Sequence, residues 1–175
     1  MTPDAASTAI AYIGLGGNLG DAAGTLRQAA EILAALPDCS LLGASQLYRN
    51  PPLGPANQPD YHNAVLKLAT TLSPWRLLDE LQRIEARFGR VRGAERWGPR
   101  TLDLDLLLHG ETVCRTERLT LPHPGLRDRA FVLYPLHEID PDLVLPGNER
   151  LADLLERVSA EGLERVGTLL KMKHE

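Results

Sequence analysis

The amino-acid sequence predicts an α+β fold in which helices pack on an antiparallel sheet. Two observations lead to this prediction: β-prone runs alternate with amphipathic stretches of helical period, and cap residues mark where those stretches begin. The chain of 175 residues is long enough for one domain with its own core. Because no internal repeat or low-complexity linker divides it, we expect a single domain over residues 1–175.

A strand and a helix open the predicted fold. Residues 9–15 (AIAYIGL) are apolar and β-prone, and the glycines that follow end the strand. Asp21 is the expected N-cap of the first helix, which stops before Pro37. Between them an apolar stripe recurs at helical spacing, formed by Leu26, Ala29, Ala30, Leu33 and Leu36.

Two further strands flank a proline-rich loop. Residues 41–49 (LLGASQLYR) predict the second strand, and residues 61–70 (YHNAVLKLAT) predict the third. The alternation in the third strand leaves two assignments open: either Ala64, Leu66 and Leu68 face the core, or the opposite parity does.

A second helix and a fourth strand complete the pattern. Ser73 is the expected N-cap, with Pro74 in the first turn, and Gly89 ends the helix. The apolar face of this helix consists of Leu77, Leu78, Leu81, Ile84 and Phe88. Residues 101–108 (TLDLDLLL) predict the fourth strand. The resulting order, β-α-β-β-α-β, is that of the ferredoxin-like plait.

C-terminal additions follow the plait. They comprise a short apolar segment at 130–137 and an amphipathic helix from about 150 to 158. The rest of the tail, within residues 147–175, carries no pattern from which we predict a structure.

Composition excludes several classes of protein. The formal net charge of -4 disfavours general binding to nucleic acid or to anionic membranes. No run approaches the ~20 apolar residues of a membrane span, and the first residues lack the pattern of a signal peptide. Cys39 and Cys114 lie far apart and outside any CxxC pattern, so we expect reduced thiols. These features together predict a soluble, cytoplasmic protein, and we expect a monomer.

Asp103 and Asp105 are the strongest local signal of chemistry. Residues two apart in a strand share a face and lie about 7 Å apart, so the two carboxylates stand side by side. The intervening positions, Leu102, Leu104 and Leu106, then face the core. Neighbouring carboxylates repel each other unless a cation lies between them, and Mg²⁺ combines one or two carboxylates with substrate phosphates. A solvated strand face with incidental acids is the alternative.

An arginine-rich loop, GRVRGAERWGPR, precedes the two aspartates. It contains Trp97 and the basic residues Arg90, Arg92, Arg96 and Arg100. Because arginine forks bind phosphate oxygens, the loop and the aspartates together favour a polyphosphate ligand. An ion-paired surface loop is the alternative. The familiar phosphate motifs are absent, since GLGGNLG at 14–20 lacks the lysine of a P-loop and fails GxGxxG at Leu19.

A proline-stiffened stretch, NPPLGPANQPDYHNA at 50–64, supplies a second candidate site. Tyr61 and Asn63 share one face of a strand, and an aromatic ring beside an amide suits a flat heteroaromatic ligand. Phe131 is a candidate for a second stacking partner. Packing of Tyr61 and Phe131 in the core is the alternative.

Three polar side chains outside these motifs are less decisive. Gln82 and Glu85 border the buried face of the second helix, where they either bind a ligand or cap neighbouring loops. His123 lies in a proline-flanked loop, and its neighbours in sequence include Arg118, Thr120 and Arg129. Since none of the five histidines is spaced with a second metal ligand, we reject a zinc site.

Taken together, these segments resemble the 6-hydroxymethyl-7,8-dihydropterin pyrophosphokinases of folate biosynthesis. The resemblance covers about residues 9–146 and is carried by AYIGLGGNLGD, YRNPPLGPANQPDYHNA, RIEARFGRVRGAERWGPRTLDLDLLL and LTLPHPGLRDRAFVLYPL. It implies ATP as co-substrate, two Mg²⁺ ions, and transfer of the ATP diphosphate to the pterin hydroxymethyl group with release of AMP. The expected partners are therefore small molecules.

The resemblance also implies roles for individual residues. The metal ions are held by Asp103 and Asp105. The pterin is bound by Asn50, Pro51, Leu53, Tyr61, Asn63, Asp103 and Phe131. The nucleotide site is lined by Gln82, Glu85, Trp97, Arg100, Leu106, Arg118, Thr120, His123 and Arg129. Catalysis depends on the two aspartates, on Arg90 and Arg92 in a loop that closes over the reactants, and on Arg100, which contacts the phosphates.

Three positions depart from the family pattern. Gly17 stands where serine is common, Asn50 where threonine is common, and Pro124 where tyrosine is common, which puts one nucleotide contact in doubt. The features taken alone hardly separate diphosphate transfer from transfer of the γ-phosphate. An RNA-binding plait is disfavoured, because its sheet face would carry aromatic residues rather than aspartates. An inactive homologue is disfavoured as well, because every expected type of site residue is present except at Pro124.

Overall fold

The computed structural model describes residues 7–52, 57–89 and 101–171. In chain order the first elements are β1 (Ala9–Gly17), α1 (Ala22–Ala34), β2 (Cys39–Ala44), β3 (Gln46–Asn50), β4 (Tyr61–Thr70), α2 (Pro74–Arg87) and β5 (Asp103–His109). They are followed by β6 (Cys114–Arg115), β7 (Thr120–Leu121), α3 (Ala130–Ile139), β8 (Val144–Leu145), β9 (Glu149–Arg150), α4 (Leu151–Glu156) and β10 (Glu164–Thr168).

The main sheet has the strand order β10-β3-β4-β1-β5, and β2 also pairs with β4. Every pairing in it is antiparallel. The strands β1, β3, β4 and β5 correspond to the predicted first, second, third and fourth strands. Across the sheet they lie in the order second, third, first, fourth. The predicted α+β plait with an antiparallel sheet is therefore confirmed.

Helices cover both faces of this sheet, which explains why β4 is apolar in both parities. Leu66 and Leu68 are fully buried in a cluster with residues of α1 and α2. Val65, which points to the opposite face, is buried in a second cluster with residues of α3 and α4. The set Ala64, Leu66 and Leu68 does face a core, as one of the two predicted assignments required, and the other face of β4 is partly buried as well.

The predicted helix starts are confirmed by their caps. The Asp21 side chain accepts a hydrogen bond from the Gly24 N–H, and the Ser73 side chain accepts one from the Arg76 N–H. Pro74 occupies the first position of α2, and Gly89 follows the helix with a φ of +81°. The predicted apolar face of α2 is buried at Leu77, Leu78, Leu81 and Ile84 and partly buried at Phe88.

The prediction of one continuous second strand over residues 41–49 is wrong, because Ser45 divides this stretch into β2 and β3. The backbone N–H of Ser45 donates to the Val65 carbonyl at 2.9 Å, while the Ser45 hydroxyl accepts the Val65 N–H at 2.9 Å. A side-chain oxygen thus replaces a main-chain carbonyl at one step of the ladder. The two short strands therefore follow one another along the same neighbour, β4.

Other boundaries differ by a few residues. β1 continues to Gly17 instead of ending at residue 15, because its last residues still pair with β4. β5 begins at Asp103 and ends at His109. The apolar segment at 130–137 is the helix α3, which accommodates Pro135 in its interior, and the predicted helix at 150–158 is limited to α4.

The tail contains a strand that the sequence did not reveal. β10 adds to the free edge of β3, where Glu164 lies opposite Arg49 and Arg165 lies opposite Tyr48. Glu164 and Arg49 form an ion pair, and the Arg165 guanidinium lies 5.9 Å from the centre of the Tyr48 ring. The segment is short, polar and interrupted by Gly167, so it lacks the apolar alternation that predicts a strand.

Two further expectations concern thiols and membranes. Cys39 and Cys114 are free thiols, the first buried and the second half-buried. Within the three described ranges, none of the helices has the length and apolar character needed to cross a bilayer.

Candidate active site

The candidate site is built on one face of the sheet, across three adjacent strands. Asp103 of β5 lies opposite Gly16 of β1, and Gly16 lies opposite Asn63 of β4. Residues directly opposite each other in an antiparallel sheet point to the same face. Asp103 and Asn63 therefore stand on either side of a glycine, at a separation of about 10 Å for two interstrand spacings.

Gly16 leaves this space open. A methyl group at its Cα would lie 2.7 Å from the Asn63 side-chain oxygen, a distance that Cβ atoms do not reach. Any other residue would displace the Asn63 amide or fill the gap beside Asp103. The site face thus has a recess over β1, between the Asp103 carboxylate of β5 and the Asn63 amide of β4.

The recess ends at an apolar cluster. Val65 and Leu107 follow Asn63 and Asp105 by two residues on their strands, so they point to the same face. Both are buried in the cluster that includes α3 and α4. The polar site therefore occupies the end of the face beyond this cluster.

The aspartates lie where the strand alternation predicts. Asp103 and Asp105 are half-buried on the site face, whereas Leu102, Leu104 and Leu106 are at most 4% exposed in the core on the other face. The side chain of Leu106, expected at the nucleotide, therefore does not point into the site. A contact of Leu106 with a nucleotide would therefore have to come from its backbone.

Glu85 anchors the strand that carries the aspartates. It is 7% exposed, and its Oε2 accepts the backbone N–H of Leu104 at 2.7 Å. Leu104 lies between Asp103 and Asp105, so a carboxylate on α2 holds β5 at the centre of the acidic pair. The expected ligand contact of Glu85 is thus accompanied by a structural one. Gln82 lies half-buried one turn earlier on α2.

His123 is held beside Asp105 by its own backbone and ring. Its N–H donates to the Leu107 carbonyl at 3.0 Å, and its Nδ1 accepts the Gly125 N–H at 3.0 Å. Nε2 lies 3.7 Å from Asp105 Oδ1. Burial, and to a lesser extent the Arg129 guanidinium, lowers the pKa of His123 to about 4, against the opposing effect of Asp103. The imidazole is therefore neutral at pH 7, with its proton on Nε2.

Two buried amides lie on the other side of the recess. Asn63 is 6% exposed and donates to the Asn50 side-chain oxygen, and Asn50 is 8% exposed and donates to the Pro51 carbonyl at 3.0 Å. Tyr61 lies opposite Asn50 in the ladder and is half-buried. The structure thus brings together the ring and amides that the proline-rich stretch predicted.

Asn18 belongs to this side of the site and was missed by the sequence analysis. It is 3% exposed, and its Nδ2 donates to Gln58 Oε1 at 2.8 Å and to the Pro59 carbonyl at 2.9 Å. The available signal was an asparagine directly after the glycines of GLGGNLG, a segment that matches none of the familiar phosphate motifs.

The remaining expected residues are dispersed around the site. Phe131 is half-buried at the start of α3, with the Arg129 guanidinium 5.9 Å from its ring centre. Thr120 lies on β7, which contacts β5. Arg118 is paired with Asp79 of α2 at the surface. Leu53, Arg90, Arg92, Trp97 and Arg100 lie outside the described residues.

The donor set at the aspartates fits a hard cation that a substrate helps to bind. Within the described ranges, no three His, Cys, Asp or Glu side chains are grouped so that they could hold a metal ion alone. Two carboxylates with no thiol beside them match Mg²⁺, which keeps several ligand positions for phosphate oxygens and water. An antiparallel plait that presents such a pair opposite buried amides and a ring defines a class, the phosphotransferases that act on a small ring-containing acceptor.

Comparison with known proteins identifies the family. The family model for 7,8-dihydro-6-hydroxymethylpterin-pyrophosphokinase (HPPK) matches residues 12–141. The 2-amino-4-hydroxy-6-hydroxymethyldihydropteridine pyrophosphokinase of Haemophilus influenzae is 50% identical over 147 residues, which are 84% of this chain and 91% of the relative. That of Pseudomonas aeruginosa is 48% identical over 155 residues, 89% and 95% of the two chains. This chain belongs to the HPPK family.

A solved structure shows the same fold at low identity. A variant of Plasmodium falciparum HPPK-DHPS, crystallised with pterin and p-hydroxybenzoate, superposes with a TM-score of 0.72 at 13% identity. The superposition covers 91% of this chain but only 47% of that one, so this chain spans about half the length of the neighbour.

Proposed function

We propose that the site described above carries out the reaction of the HPPK family. ATP is the co-substrate, its diphosphate is transferred to the hydroxymethyl group of 6-hydroxymethyl-7,8-dihydropterin, and AMP is released, as a step of folate biosynthesis. The observation that carries the proposal is the row Asp103–Gly16–Asn63 across three strands. The backbones that carry a carboxylate and a buried amide lie about 10 Å apart on one face, and the residue between them is a glycine, which has no side chain.

The pterin occupies the Asn63 side of the recess in this proposal. The buried amides of Asn50 and Asn63 and the backbone at Pro51 bond its edge, while Tyr61 and Phe131 stack on its ring. Buried polar groups discriminate well, because an acceptor lacking the matching edge leaves them unpaired. Leu53 is assigned to the same subsite from the family resemblance.

The nucleotide occupies the β5 side. Its phosphates lie over Asp103 and Asp105, and the adenosine lies between α2, β5 and the segment that leads from Arg118 to Arg129. His123 is neutral there and presents its Nε2–H toward Asp105. Support comes from the convergence of these elements around β5. The proposed set of nucleotide-binding residues also includes Gln82, Glu85, Trp97, Thr120 and the backbone of Leu106.

The proposal includes two Mg²⁺ ions on Asp103 and Asp105. When bound, the ions neutralise phosphate charge and fix the orientation of the β-phosphorus. The chain's own contribution is to hold the two carboxylates at one spacing, since Glu85 fixes the intervening Leu104. Arg90 and Arg92 are assigned to a loop that closes over the reactants, and Arg100 is assigned to the phosphates.

The reaction that follows is an in-line displacement. The pterin hydroxyl oxygen forms a bond to the β-phosphorus while the bond between that phosphorus and the oxygen bridging to the α-phosphate breaks. Positioning and charge neutralisation supply most of the rate acceleration in such transfers. Of the two aspartates, Asp103 shares a row of the sheet with Asn63 on the acceptor side, and it is the proposed recipient of the hydroxyl proton. We also propose a cytoplasmic monomer, because both substrates are small molecules.

A product assay tests this function. The protein is incubated with MgATP and 6-hydroxymethyl-7,8-dihydropterin, and AMP is separated from ADP. AMP formed in step with pterin diphosphate is the expected result, and excess EDTA should abolish it. ADP as the product would mean that the γ-phosphate is transferred, and no turnover by the folded protein would overturn the proposal.

A further inference from the structure

Asn18 is a buried polar side chain to which the proposed reaction gives no role. It follows Gly17, the last residue of β1, and is 3% exposed. Its surroundings, GLGGNLG, match no phosphate-binding motif. A buried amide is costly unless its hydrogen bonds are made, so its partners indicate what it does.

The Asn18 amide connects two loops. Its nitrogen donates to the Gln58 side-chain oxygen at 2.8 Å and to the Pro59 carbonyl at 2.9 Å. An amide nitrogen has two hydrogens, and these two acceptors use both. The turn after β1 is thereby tied to the residues that lead into β4.

These bonds act where the backbone pairing of the sheet stops. The β1–β4 ladder ends with Gly17 opposite His62, and the β3–β4 ladder ends with Asn50 opposite Tyr61. Pro59 lies two residues before Tyr61, beyond both ladders. The Asn18 side chain therefore extends the attachment of β4 to β1 past its last paired residue.

We propose that Asn18 is a positioning residue for the pterin. By holding Gln58 and Pro59, it fixes the direction in which the chain enters β4, and with it the Tyr61 ring beside the Asn50–Asn63 pair. The inference rests on the proposed function, because it concerns the subsite assigned to the acceptor. The expected nucleotide residues that the structure describes lie instead on α2, β5 and 118–129, so the effect of Asn18 should be confined to one substrate.

The test compares the affinities of two ligands in the same variants. Asn18→Asp keeps the size of the side chain but replaces the donor nitrogen with an oxygen, which repels the Pro59 carbonyl. We expect the dissociation constant for 6-hydroxymethylpterin, measured by its fluorescence, to rise about tenfold, because small displacements of a binding group are costly. The dissociation constant for MgATP, measured by calorimetry, should change less than about twofold, and KM for the pterin should rise more than kcat falls.

Two further variants keep the inference testable. Gln58→Leu removes one of the two acceptors without altering the buried residue, and it should weaken pterin binding in the same direction by a smaller factor. Asn57→Ala removes an exposed amide from the same loop and should leave both affinities unchanged.

Each outcome distinguishes this inference from the proposed function. If the wild-type protein binds no pterin, the proposed function fails. If it binds pterin, but folded Asn18→Asp and Gln58→Leu bind it equally well, the positioning role alone is wrong. An equal loss of pterin and MgATP affinity would also overturn it, since that result indicates a general structural role.

Discussion

Leu104 separates the two aspartates of the site, and its backbone N–H is bonded to the buried Glu85 carboxylate. The position of both aspartates thus depends on a residue that the sequence suggested only as a ligand contact or a loop cap. The alternation of TLDLDLLL correctly predicted that Asp103 and Asp105 share a face. No local pattern could predict that an acid from α2 bonds the backbone between them, because the contact spans 19 residues and requires the packed fold.

Removing one carboxylate of the pair tests its role directly. Asp105→Asn keeps the shape of the side chain but loses a negative charge that the proposed cations need. We expect the rate of AMP formation to fall at least about 100-fold, since charge stabilisation of this kind contributes several kcal/mol. Asp142→Asn, at an exposed site beyond α3, is the matched control. Near-normal turnover by the Asp105 variant would contradict the metal-binding role.

Substitutions at Glu85 distinguish the contribution of its hydrogen bond to the Leu104 N–H from that of its negative charge. Glu85→Leu leaves the buried Leu104 N–H without an acceptor, so we expect a loss of about 1–3 kcal/mol in the free energy of unfolding. Glu85→Gln keeps an acceptor oxygen and should cost less. Glu80→Gln breaks only the surface pair with Arg83 on the same helix and should cost less than about 1 kcal/mol. Urea denaturation measures all three, and equal losses at positions 85 and 80 would exclude the anchoring role.

At the scale of elements, the helices were more predictable than the strands at the sheet edge. α1 and α2 carry local signals, namely caps and apolar stripes, that do not depend on distant residues. The break at Ser45 arises because a hydroxyl competes with the backbone for the Val65 N–H, and a continuous β-prone run does not show this. β10 exists because β3 offers an unpaired edge, so its strand state is imposed by tertiary pairing.

The turn before β10 is expected to support the pterin side of the site. Gly162 has a φ of +83°, and a Cβ there would lie 3.2 Å from Pro51 Cδ. Gly147 has a φ of +90° with open space around it, so a substitution at Gly147 measures the cost of backbone strain alone. We expect Gly162→Ala and Gly147→Ala to lose similar stability, about 1–2 kcal/mol. Only Gly162→Ala should raise KM for the pterin. An unchanged KM would mean that Pro51 adjusts freely.

For the whole molecule, the sequence predicted the plait and the family, but not the contacts that hold the parts of the candidate site. The class of fold follows from the order of periodic segments, whereas the assignment of the ligands followed from the resemblance to the family. The supporting contacts of Asn18, Glu85 and Ser45 join residues distant in sequence. Such contacts depend on the register of the strands, which one sequence does not specify.

The alkaline stability of the whole molecule is expected to depend on a buried tyrosine. Burial, together with the Glu138 carboxylate that accepts its hydroxyl at 2.5 Å, raises the pKa of Tyr48 from 10.0 to about 12, partly offset by Arg165. Between pH 10 and pH 12 the unfolded chain therefore loses a proton that the folded chain keeps, so stability falls as pH rises through this range.

Tyr48→Phe should show a shallower alkaline loss of stability than the wild-type protein. The comparison uses the free energy of unfolding in urea at a series of pH values from 9 upward. Part of the loss should remain, because burial and Asp140 also raise the pKa of Tyr12. Parallel curves for the two proteins would show that Tyr48 does not contribute.

The position of β10 in the chain has a consequence for synthesis. Its ion pair with β3 joins residues 115 positions apart, so this edge of the sheet cannot be covered until the chain as far as β10 has left the ribosome. At ordinary rates of translation, the delay after β3 emerges is on the order of 10 s. During that interval β3 presents an open edge, which can pair with another nascent chain. The emergence of β10 therefore ends a period of exposure to aggregation.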